Sequence, residues 1–177
     1  MTMTETKSSE QAPENPCPKA EPQKEHEWLH KLVGDWTCEM ECSMGPDQPP
    51  MESTGTESVR SLGGLWTIGE GTGDAPDGTP VKSIMTLGYD PQKQKFVGTF
   101  VASMMTHLWS YEGTLDGSGK ILTLDTEGPS FTGDGGMSRY QDIIEFVSDD
   151  HRTLKSRMPG EDGKWIQFMT AHYKRKS

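Results

Sequence analysis

Long apolar runs are missing from this chain. Only 31% of its 177 residues are hydrophobic, and no stretch approaches the ~18 consecutive apolar residues of a membrane-spanning helix. The opening MTMTETKSSEQ has neither the basic start nor the apolar middle of a secretory leader, so a cytoplasmic location is expected. Basic charge is also scarce. Seventeen Lys and Arg against twenty-seven Asp and Glu leave a net charge of -10, which excludes the electrostatic footprint of a nucleic-acid binder and disfavours anionic membranes. The short basic end, Lys174-Arg175-Lys176, reads as a solvated strand terminus.

Cysteine is sparse as well. Cys38 and Cys42 stand four apart on one face of an extended segment, about 13 Å from each other at ~3.3 Å per residue, too far for a disulfide. They read as buried, reduced thiols. Cys17, between Pro16 and Pro18, reads as a free exposed thiol. No Cys-x-x-Cys spacing supports a soft-metal site, and no Gly-x-Ser-x-Gly supports a triad nucleophile. Gly69-Glu70-Gly71-Thr72-Gly73 opens no helix, so it does not cradle phosphate.

What is present points to strands. The twenty glycines and twelve prolines imply many turns rather than long helices. The organising stretch is EWLHKLVGDWTCEMECSM, residues 27–44. Trp28, Leu29, Leu32 and Val33 form a helical stripe that stops at Gly34. From Trp36 the pattern changes to period two. Trp36, Cys38, Met40, Cys42 and Met44 lie on one side, and Thr37, Glu39, Glu41 and Ser43 on the other, as in a half-buried strand.

Residues 1–25 carry four prolines and almost no large apolar side chain, so they read as a disordered tail ahead of a single domain over 26–177. A short helix is expected from Pro22 or Gln23 to Leu32. Strands follow at 52–60, 65–70, 81–89, 95–103, 105–114, 120–127, 137–147, 151–158 and 165–174, divided by turn signals such as Leu62-Gly63-Gly64 and Asp116-Gly117-Ser118-Gly119. No helical pattern separates them, which excludes parallel crossovers. The expected fold is all-β: an up-and-down antiparallel barrel of about ten strands with a short N-terminal helix capping one end. A two-sheet sandwich is the runner-up.

Further segments resemble one bacterial family, catalogued as domain of unknown function 1579. They are Gly34-Asp35-Trp36 after the helix, His107-Leu108-Trp109 with Tyr111-Glu112-Gly113, and Tyr140-Gln141-Asp142-Ile143-Ile144-Glu145-Phe146. Asp149-Asp150-His151-Arg152-Thr153-Leu154, Asp162-Gly163-Lys164-Trp165 and Tyr173-Lys174-Arg175-Lys176 complete the set. The resemblance covers about residues 27–176 and implies a lipocalin-like barrel of the calycin superfamily. It brings no established activity. Distant calycin relatives include the haem-holding nitrobindins and the fatty-acid-binding proteins, an analogy of fold only.

Alternation places Met105, His107, Trp109 and Tyr111 on one face, and Trp36, Met40, Tyr140 and Met169 are expected to point inward with them. A ring of about ten strands is wider than one that side chains just fill. The expected function is therefore non-enzymatic binding of a small apolar or aromatic molecule. Trp36, Met40, Met105, His107, Trp109, Tyr140 and Met169 would line the lumen, with His107 as the polar fixing group. Three alternatives stay open: a haem protein with His107 or His172 as axial ligand, an enzyme using His107, Tyr140 and Asp142, and an interaction module that uses its outer surface. Asp142 shares the face of Tyr140 and Ile144, and an ion pair with Arg139, Arg152 or His107 is its expected environment.

Overall fold

The computed structural model describes residues 19–43, 45, 49–75, 77–131 and 135–177. Residues 1–18 of the expected tail lie outside them, as does Met44. The helix α1 spans Lys24–His30. Ten strands follow: β1 Gly34–Cys42, β2 Met51–Leu62, β3 Trp66–Asp74, β4 Pro80–Asp90, β5 Lys95–Ala102, β6 Trp109–Leu115, β7 Ile121–Pro129, β8 Met137–Ser148, β9 His151–Pro159 and β10 Trp165–Arg175.

Each strand pairs antiparallel with its neighbours in sequence, and β1 pairs with β10, so the sheet closes into a barrel. Closure leaves no free sheet edge. The turns follow their residues. Gly63 and Gly64 both have positive φ, 65° and 76°, as the central residues of the tight turn that Leu65 N–H closes onto Leu62 O.

Directly paired residues share a face, so the register carries the inward set around the ring. Trp36 opposes Glu57 on β2 and Arg175 on β10, while Cys38 opposes Gly55 and Tyr173. Leu124 opposes Asp142, which opposes Ser156. Two expected strands differ most in extent. The strand at 65–70 runs on to Asp74, because Gly69, Gly71 and Gly73 pair with Val59, Glu57 and Gly55 and with β4 beyond. The strand expected from Met105 begins only at Trp109, so Met105 and His107 lie in the connection ahead of β6.

The core fills the end where α1 sits. Trp28, Leu29 and Leu32 pack with Trp36, Val59, Leu87, Phe96, Leu122, Leu124, Ile144 and Phe146. Trp28 meets Phe96 and Phe146 edge-on at 5.7 and 5.5 Å and donates its Nε1–H to Gly119 O at 2.8 Å. Leu29, Leu122, Leu124 and Ile144 are at most 1% exposed, and each such burial contributes roughly 1.5–3 kcal/mol. The C-terminal ends of β1, β3, β5, β7 and β9 lie at the opposite rim.

Candidate functional site

The two halves of the lumen differ. Toward α1 most inward side chains are buried, with Tyr89, Leu115, Leu154 and Tyr173 half-buried. Toward the open rim the inward Met40, Cys42, Ser83, Phe100, Met158 and Met169 are only half-buried, although the ring encloses them on all sides. Ser53, Gly55, Gly71 and Gly73 form a wall of small residues on β2 and β3. Across the ring, β6 and β8 supply Trp109 and Tyr140, whose rings meet edge-on at 5.2 Å. Phe131 and Phe168 extend this aromatic group, at 5.3 and 6.3 Å from Tyr140. Phe168 reaches it because β10 shifts register between Gln167 and Met169.

Asp142 lies where the packed half meets the open half. Tyr111 donates its hydroxyl to one carboxylate oxygen at 2.5 Å, and Ser156 donates to the other. Burial pushes the Asp142 carboxyl above its usual range, and those two hydrogen bonds offset part of the shift. Burial and the neighbouring Asp142 charge push the Tyr111 phenol well up. The expected ion pair of Asp142 is therefore replaced by two hydroxyls, since Arg139 is on the outer face and Arg152 is engaged elsewhere. One rung nearer the open rim, Thr126 opposes Tyr140 and its buried Oγ1 has no hydrogen-bond partner among the described residues.

A second polar group sits toward α1. Arg152 ion-pairs with Glu57, and its guanidinium lies 3.9 Å from the centroid of Tyr173 and 4.8 Å from that of Trp36. Tyr173 hydrogen-bonds Cys38. Burial, then the Glu57 charge, holds the Tyr173 phenol high, and burial raises the Cys38 thiol.

The register brings Trp36, Met40, Trp109, Tyr140 and Met169 to the inner face. Trp36 is fully buried among core residues at the α1 end, away from the open half. Met105 lies outside the strands, and its Sδ accepts the Trp109 Nε1–H at 3.0 Å. His107 sits on the rim: Nε2 is 3.1 Å from Glu127 O and the ring packs edge-on against Trp109 at 5.0 Å. His107 also lines a groove of about 700 Å³ on the outer wall, with Ser110, Glu112, Asp125, Arg139 and Trp165. That groove adjoins the place where the β6–β7 pairing stops at Glu112 and Asp125.

The remaining histidines do not fit a haem held in the lumen. His172 faces outward and is exposed, with Nδ1 3.1 Å from His151 Nε2. None of the five histidines occupies an inward-facing strand position. Sequence reasoning also passed over His26-Glu27-Trp28-Leu29-His30, which has the His-Glu-x-x-His spacing of zinc peptidases. Here that spacing holds no ligand set. His26 is buried edge-on against Tyr89 and accepts the Gln23 N–H at 2.9 Å, whereas His30 Nε2 is 3.5 Å from Ser61 Oγ. Among the described residues no three His, Cys, Asp or Glu side chains converge as a metal site.

With this geometry in hand, residues 21–175 match the family described as "Protein of unknown function (DUF1579)". The chain belongs to the DUF1579 family. The resemblance carried by the Gly34-Asp35-Trp36 and Tyr140–Phe146 segments thus stands. No curated protein matches this DUF1579 chain. Among solved structures, the crystal structure of Rv2717c from M. tuberculosis is similar, with a TM-score of 0.58 and 13% identity, covering 89% of this chain and 100% of that one. A redesigned β-barrel, mFAP0, bound to DFHBI, gives a TM-score of 0.46 and 15% identity, covering 82% of this chain and 99% of that one. The first likeness concerns the fold alone, and the second carries no argument about function.

Proposed function

We propose that this DUF1579 barrel is a binding protein that takes a small apolar or aromatic molecule into the open half of its lumen. The observation that carries the reading is the contrast between the two halves. Most side chains that face inward near α1 are buried, while Met40, Cys42, Ser83, Phe100, Met158 and Met169, facing inward near the rim, keep accessible surface. Inward methionine, phenylalanine and tryptophan side chains that keep accessible surface favour apolar matter, because they offer dispersion contacts and few hydrogen bonds to water. Ser53, Gly55, Gly71 and Gly73 present no large side chain opposite the rings of Trp109 and Tyr140. Asp142, rather than His107, is the polar group that orients the ligand, because its carboxyl stands at the floor of this space and His107 is bonded at the rim.

The test is uptake of the neutral fluorophore phenylnaphthylamine. Its emission is expected to rise on mixing with the protein and to fall on competition with small aromatics. Ser53→Trp, which fills the small-residue wall, is expected to abolish the rise while the protein stays folded by circular dichroism. No uptake by the natural chain, or undiminished uptake by Ser53→Trp, overturns the reading.

A further inference from the structure

We propose that the lumen ligand carries a protonated nitrogen, which Asp142 meets at the floor of the open half. This rests on the binding role argued above and narrows it to a chemical class: small aromatic or apolar amines, amidines and related cations. The starting point is the charge inside the ring. The charged side chains at inward strand positions between the two ends are Glu57, Asp142 and Arg152. Glu57 and Arg152 pair with each other, so Asp142 is left without a cation. A carboxylate enclosed by protein and unmatched by positive charge is costly, and a ligand that brings the missing charge recovers that cost on binding.

The stereochemistry agrees. Each Asp142 oxygen accepts one hydroxyl, from Tyr111 and from Ser156, and each retains a further acceptor site. The residue is half-buried rather than sealed, at an inward strand position. Between Asp142 and the rim stand the Tyr140 and Trp109 rings, whose faces attract cations. Beside them the Thr126 hydroxyl is buried and without a partner among the described residues, available to accept a second N–H. A carboxylate, aromatic rings and a spare acceptor at neighbouring inward positions suit an ammonium group. They do not suit a fatty acid, whose carboxylate would face Asp142, while Arg152, its Nη2 held by Glu57 and its buried Nε without a partner among the described residues, lies toward α1.

The experiment compares three probes of one shape on the full chain by calorimetry: naphthylmethylammonium, naphthylmethanol and naphthoate. The ammonium is expected to bind more tightly than the alcohol by on the order of tenfold or more, as a charge-assisted hydrogen bond implies, with naphthoate weakest. Asp142→Asn is expected to bring the ammonium down to the level of the alcohol. Should that variant fail to fold, pH is the second arm. Ammonium affinity of the natural chain is expected to rise with pH as Asp142 ionises, whereas alcohol affinity stays level. The other titratable groups facing this space are Cys42, Tyr111 and Tyr140, with Cys38, Glu57, Arg152 and Tyr173 toward α1, and the phenols and thiols ionise at higher pH. Equal binding of ammonium and alcohol, or a preference that survives Asp142→Asn, overturns the cation assignment and leaves the apolar pocket standing. Binding of none of the three overturns both.

Discussion

Arg175 lies over Trp36, its guanidinium carbon 4.1 Å from the ring centroid, and so ties the last strand to the first at the closed end of the barrel. The same guanidinium donates to Val33 O at 2.7 Å, Lys31 O at 3.0 Å and Asp149 O at 3.1 Å. Those carbonyls end the α1 segment and the β8–β9 turn, so one side chain answers three backbone groups and covers an indole.

Arg175→Ala should therefore destabilise the fold by about 2–4 kcal/mol, the loss of a cation–π contact and several charge-assisted hydrogen bonds. Arg175→Lys should recover less than half of this, because an ammonium cannot reproduce the planar fork. Urea unfolding of the three proteins checks both, and equal stability of the Lys variant and the natural chain would contradict the assignment.

Gly128 packs under Trp109. A Cβ there would stand 2.2 Å from the indole, which Met105, His107 and Tyr140 hold in place. Gly128→Ala is expected to displace the ring, cost about 1–3 kcal/mol and shift tryptophan emission to longer wavelength. An unaltered emission spectrum would show that the indole does not sit there.

Asp142 makes stability depend on pH with a definite sign. Its folded pKa is raised by burial, so between the unfolded and folded values the native state holds the extra proton. Stability therefore falls as pH rises from the ordinary carboxylate range through the folded value. Asp142→Asn removes that dependence. Relative to the natural chain, the variant should gain stability with rising pH across this window, and the comparison cancels exposed carboxylates such as Asp116, held down to about 2 by Ser118 and the Ile121 N–H. A stability difference that is flat from pH ~4 to ~8 would refute the raised value.

Glu57 and Arg152 form an enclosed pair, with side chains 14% and 5% exposed. Glu57→Gln should cost about 3–5 kcal/mol, because it strands the guanidinium among Trp36, Tyr173 and Cys38. Combining it with Arg152→Met should restore much of the loss. Additive destabilisation in the double variant would mean that the two side chains do not act as a pair.

The strand order and the inward set were readable from the residues, because a pleated strand alternates faces whatever its neighbours do. Trp36, Met40, Trp109, Tyr140 and Asp142 all fall where period two places them. Pattern failed where backbone pairing stopped. Met105 and His107 continue the alternation of Trp109 and Tyr111, yet they lie ahead of β6, and nothing in their spacing marks the end of the strand. The bulge that turns Phe168 toward Tyr140 is likewise silent in the residues.

Alternation, turn residues and the helix stop before Gly34 thus determined the all-β barrel and which side chains face its axis, since these depend on steric rules acting over a few residues. Tertiary structure alone decided which inward groups meet. Asp142 finds Tyr111 across 31 residues of chain, and Arg152 finds Glu57 across 95. The physical reason is that closing the ring sets these neighbours through cross-strand register, which accumulates over every strand and appears in no single one.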